Sequence, residues 1–123
     1  MTKERRLAIQ MWKEIKEMLP KWFTVERYAI GQHVLAYKYR FCKDHKVSWK
    51  NDCWLCQYFM RYNCNNCERC PLNYCGYMPN GDASPWQIVM QWRYSLELKL
   101  EACDKIIAAL NGRHIKMRKE IQA

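Results

Sequence analysis

The chain has 123 residues, half of them apolar, with eight cysteines and 21 Lys and Arg against 12 Asp and Glu, a formal charge of +9. The apolar and aromatic content excludes a disordered chain, and four Gly and four Pro exclude collagen-like and low-complexity architectures. This length suits one domain, spanning 1–123, and the charge favours anionic partners: nucleic acid, an acidic protein surface or anionic lipid.

The first 19 residues, MTKERRLAIQMWKEIKEML, are charged throughout and lack the apolar core of a secretory signal. No apolar run approaches the roughly 18 residues of a membrane span, so the expected compartment is the reducing cytoplasm.

Over 3–19 the spacing predicts an amphipathic helix. Leu7, Met11, Ile15 and Met18 form its stripe, widened by Ala8, Trp12 and Leu19. Pro20 is expected to end it, because proline pushes the preceding residue out of helical geometry. A second helix is predicted over 24–43, with Ile30, Val34, Tyr37 and Phe41 in register and Gly31 weakening it. Tyr37, Tyr39 and Phe41 also alternate with Lys38 and Arg40, a pattern that admits a short strand.

Residues 44–83 are rich in Asn, Asp and other turn formers, so a long irregular segment is expected there. A third helix is predicted over 85–111. Ser84 is its expected N-cap, Pro85 its first residue, and Gln87 the partner in a capping box. Val89, Trp92, Leu96, Cys103, Ile106 and Leu110 line its apolar face, and Asn111-Gly112 is its expected stop. Residues 112–123 are expected to be a basic tail or a short extra helix. The fold class expected is mainly α, a small domain of about three helices with an irregular cysteine-rich zinc knuckle inserted between the second and third.

That insertion needs a constraint, and its cysteines supply one. Six of the eight are spaced Cys53-x2-Cys56-x7-Cys64-x2-Cys67-x2-Cys70-x4-Cys75. Two Cys-x2-Cys turns can aim four sulfurs at one point, the tetrahedral shell that zinc favours. Cys53, Cys56, Cys67 and Cys70 are the preferred ligands, with Pro71 stiffening the chain after the second pair. Cys64 competes with Cys70 for the second pair.

A two-zinc arrangement is also open. Cys42 and His45 would join Cys53 and Cys56, and Cys64, Cys67, Cys70 and Cys75 would form a second, all-sulfur site. A [4Fe–4S] cluster is a further alternative, although Cys75 is misplaced for the bacterial ferredoxin run. Cys103, on the apolar face of the last helix, reads as a buried free thiol.

The stretch Cys53-Trp54-Leu55-Cys56, with Cys67-Glu68-Arg69-Cys70-Pro71-Leu72, Cys75 and Ser84-Pro85-Trp86, resembles small uncharacterised phage and prophage proteins. Their shared pattern is C-x-L-C, then C-x2-C-P-L, then S/T-P-aromatic, followed by a helix. The resemblance covers about residues 49–93, and Cys64 is extra to the pattern. It implies a phage origin, a metal knuckle and a host cytoplasmic location. It implies no reaction.

Nothing in the sequence carries a catalytic signature. The cysteine segment has sulfur in excess and no histidine. His33, His45 and His114 fit no nucleophile motif, and there is no phosphate loop or H-E-x-x-H. The expectation is therefore a binding protein, not an enzyme.

Charge is uneven along the chain. Residues 1–50 hold 12 basic and 5 acidic side chains, residues 51–82 hold 2 and 3, and residues 83–123 hold 7 and 4. The flanks Lys38, Arg40, Lys43, Lys46 and Lys50, the knuckle residues Arg61 and Arg69, and the tail Arg113, Lys116, Arg118 and Lys119 are candidate contacts to phosphate or to a protein partner. An ordinary solvated face accounts for them equally well.

Tyr58, Phe59, Tyr62, Tyr74 and Tyr77 match the aromatics that zinc knuckles stack on bases. Packing around the metal is the reading the sequence favours for them. The functional expectation is a zinc-stabilised protein engaging nucleic acid or a nucleoprotein. The alternatives are an inhibitor or adaptor that binds a host or defence protein, and an iron–sulfur redox protein.

Overall fold

The structure, a computed structural model, describes residues 3–47 and 85–112. Most of these residues are helical and none is in a strand. The helices are α1 (Lys3–Glu26), α2 (Ile30–Asp44), α3 (Pro85–Met90) and α4 (Leu96–Leu110), with a 3-10 turn at Arg27–Ala29 between α1 and α2. The mainly helical class is as expected. The cysteine segment from residue 48 onward and the basic tail beyond residue 112 lie outside the described residues.

The apolar stripe of α1 buries Ala8, Met11, Trp12, Ile15 and Leu19. It packs against both α2 and α4, and α4 in turn carries α3. Ile30, Val34 and Phe41 of α2, Ile88 and Val89 of α3, and Ala102, Cys103, Ile106, Ala109 and Leu110 of α4 complete the core. The Trp12 and Trp86 rings meet edge to face, 5.8 Å apart, and tie α1 to α3.

Three predicted boundaries are corrected. Pro20 does not end α1, which continues to Glu26. Proline inside a helix removes one hydrogen bond and costs about 3 kcal/mol. Pro20 faces solvent, however, and the turn after it buries Trp22 and half-buries Phe23 against the core. The Trp22 ring stacks on His33, centroids 5.7 Å apart, and meets Tyr37 at 5.8 Å. These contacts with α2 need the helix to run past the proline.

The second helix starts at Ile30, not at residue 24. Glu26 leaves helical geometry at φ −147° and ψ 66°, and the 3-10 turn then reverses the chain so that α2 returns along α1. Residues 24–28 are all exposed, so burial does not hold the chain straight there. The alternating stretch 37–41 is helix, not strand.

The third predicted helix is two helices, because the chain breaks at residues 91–95. Lys99, with no solvent exposure, reaches back from α4 and donates through Nζ to the carbonyls of Ile88 at 2.6 Å and Val89 at 3.1 Å, and to that of Gln91. Carbonyls at a helix end lack intrahelical partners, and one ammonium with three donors satisfies three of them. The working N-cap of α4 is Ser95, whose side chain accepts from the Leu98 amide at 3.2 Å. Ser84 lies outside the described residues. The break also moves Trp92 off the predicted core face, to 48% exposure.

The predicted stop at Asn111-Gly112 is where α4 ends. Gly112 sits at φ +75° and its amide bonds the Ala109 carbonyl at 3.0 Å. Arg5 from α1 donates to the Leu110 carbonyl at the same end.

Candidate functional site

The described candidate residues gather at the C-terminal half of α2, where the chain enters the cysteine segment. Helix periodicity decides which of them share a face. Arg40 and Lys43 are three residues apart, Tyr39 and Lys43 are four apart, and all three are exposed, Tyr39 at 75%. Lys46, three residues beyond Lys43, is exposed as well. Leu35, 40% exposed, lies one turn before Tyr39. Lys38 does not join this face. It is half-buried and in register with Phe41 and Cys42, both packed on the core.

A Schellman-type ending fixes where Lys46 stands. The Val47 amide bonds the Cys42 carbonyl at 2.9 Å, and the Lys46 amide bonds the Lys43 carbonyl at 3.3 Å. Lys46 holds φ 55°, the left-handed position usually given to glycine. Val47, after it, packs on the core and closes the motif. Lys50 lies outside the described residues, as do Arg61, Arg69, Arg113, Lys116, Arg118 and Lys119.

Cys42 and His45 lie one turn apart at this same helix end. Cys42 is a half-buried free thiol. The His45 ring rests on Phe41, centroids 4.1 Å apart. A thiolate and an imidazole suit zinc, yet two donors are half of its shell. Among the described residues no three His, Cys, Asp or Glu side chains are grouped to hold a metal ion. Cys53 and Cys56, the partners expected for this pair, lie outside the described residues, as do Cys64, Cys67, Cys70 and Cys75.

Cys103 is buried, as expected of a core thiol, and burial pushes its pKa up to about 12. A thiol so placed is neither nucleophile nor ligand. His33 stacks on Trp22 and faces Glu26 at 3.4 Å, a structural setting.

The exposed Tyr28 and Trp92 rings do not stand out in the sequence pattern. Trp92 falls on the apolar stripe of an unbroken helix over 85–111 and leaves it only because the chain breaks at residues 91–95. Its flanking Gln91 and Arg93, and Ser95 as a second capping residue, are the signals that mark it as a connection.

No described helix is long and apolar enough to cross a membrane. No protein-family model, no curated protein and no solved structure matches this chain.

Proposed function

We propose that the chain is a non-catalytic binding protein that engages nucleic acid, or a nucleoprotein, through its basic flanks. Zinc held by Cys53, Cys56, Cys67 and Cys70 stabilises it, and it works in the reducing cytoplasm. The observation that carries the reading is the exposed face bearing Arg40, Lys43 and Lys46 beside Tyr39, at the end of α2 that leads into the cysteine segment. Among the described residues none of these three cations makes an ion pair. A chain of formal charge +9 adds long-range attraction for such a partner. The resemblance to phage and prophage proteins supports a phage origin.

The test is binding to single- and double-stranded DNA and RNA across a salt series. The logarithm of the binding constant is expected to fall linearly with the logarithm of salt concentration. Arg40→Ala or Lys43→Ala should each reduce that slope by roughly 0.7 to 0.9, the loss of one phosphate contact. Absence of salt-sensitive binding at low ionic strength overturns the reading.

A further inference from the structure

Two large rings stand in solvent where the 3-10 turn meets the α3–α4 connection. Tyr28 is 78% exposed and Trp92 is 48% exposed, with centroids 4.9 Å apart and planes inclined by 55°. Arg27 is held beside them. Its Nε donates to the Trp92 carbonyl at 2.9 Å, and its guanidinium lies over the Phe23 ring, 4.7 Å from the centroid.

These contacts orient Arg27 without neutralising it. The adjacent Glu26 carboxylate faces His33, and no carboxylate pairs with Arg27 among the described residues. Its charge reaches the buried Lys99 ammonium and, after burial, contributes to lowering the Lys99 pKa. The corner therefore sets an oriented guanidinium beside two exposed rings.

We propose that Tyr28, Trp92 and Arg27 form a stacking platform for an unpaired base and its phosphate, so that the protein prefers single-stranded to double-stranded nucleic acid. The inference rests on the nucleic-acid reading above and adds a site remote in sequence from the basic face of α2. Exposed ring faces stack on bases of any sequence. A guanidinium already fixed through Nε leaves its two terminal nitrogens to take phosphate oxygens in bidentate fashion. In a duplex the base faces are covered by their neighbours, so the rings gain nothing there. A wholly apolar protein partner would use the rings but would strip water from the Arg27 charge without replacing it.

The test uses the full, metal-loaded chain with an oligothymidylate and a mixed-sequence duplex. Affinity is read by anisotropy and ring contact by tryptophan quenching. Tyr28→Ala and Trp92→Ala are each expected to weaken single-strand binding roughly 5- to 100-fold while leaving duplex binding within about twofold. Trp92→Phe should recover most of the affinity, and Arg27→Met should lower the salt slope on single strands only. Circular dichroism checks each fold, and the highly exposed Tyr28 decides if the Trp92 variant misfolds.

Unchanged single-strand binding in Tyr28→Ala, or an equal loss on both substrates, overturns the platform and leaves the basic-face reading standing. No binding to either nucleic acid overturns both. An acidic peptide captured by these residues in place of nucleic acid also overturns both.

Discussion

Gly31 of α2 lies against the backbone of α3 so closely that a Cβ at residue 31 would come 2.7 Å from the Met90 carbonyl oxygen. The obstacle is main chain and cannot swing aside. Helix propensity alone makes Gly31→Ala stabilising by about 1 kcal/mol. The contact reverses that sign, because forcing an extra carbon into packed structure costs roughly 1–3 kcal/mol. Gly31→Ala is expected to lower the urea midpoint, and a raised midpoint would show that α2 and α3 do not approach this way.

Lys99 holds the end of α3 through three carbonyls. Lys99→Met keeps the packing but leaves those acceptors buried and unpaired, an expected loss of about 1–3 kcal/mol. Burial, followed by the Arg27 charge, lowers the Lys99 pKa from 10.5 to about 8. Between those values the unfolded chain holds more protons than the folded one, so stability rises with pH. Wild-type stability measured against Lys99→Met is expected to climb from pH 8 to 10.5 and then level off. A flat difference would place the ammonium in water.

Tyr37 donates its hydroxyl proton to Glu14 and links α2 to α1. Burial, with the Glu14 hydrogen bond and charge, raises its pKa to about 12. Because the folded value lies above the unfolded one, the stabilisation is complete below pH 10 and is lost as pH rises through 12. Ultraviolet titration should show a late tyrosine that Tyr37→Phe removes, with a stability loss near pH 7 of about 1 kcal/mol.

Lys46 ends α2 in a left-handed conformation that costs a β-carbon-bearing residue about 1 kcal/mol. Lys46→Gly is expected to raise stability by up to about 1 kcal/mol. It should also weaken nucleic-acid binding and flatten its salt slope. The two readouts moving in opposite directions would separate the backbone role of the position from its charge.

Elemental analysis of protein purified without air is expected to find zinc, about one ion per chain, and no iron. About two ions, reduced to one in a Cys42→Ala variant, would bring Cys42 and His45 into a second site. Because the helical core is built from apolar side chains of α1, α2, α3 and α4, chelation should lower the melting temperature while much of the helical signal persists. A brown protein containing iron would replace the zinc reading with a [4Fe–4S] cluster.

Helical spacing alone names many of the side chains buried in α1, α2 and α4, though not Trp22, Lys99 or Ala102. Trp12, Ile15, Val34, Ile106 and Leu110 recur at helical spacing, and burying apolar surface enforces that spacing whatever the partners are. The sequence also marked the stop at Gly112 and the cations Arg40 and Lys43, since glycine conformation and side-chain charge are local properties. The end of α1 and the break between α3 and α4, by contrast, depend on contacts between helices. Trp22 and Tyr37 meet across α1 and α2, so α1 runs through Pro20. Lys99 reaches back eleven residues to Ile88, so one expected helix is two. That same break turns Trp92 outward beside Tyr28 and Arg27 and makes a surface where the sequence pattern implied core. A local preference of a few kcal/mol yields whenever a distant side chain supplies the missing hydrogen bond or covers the exposed ring.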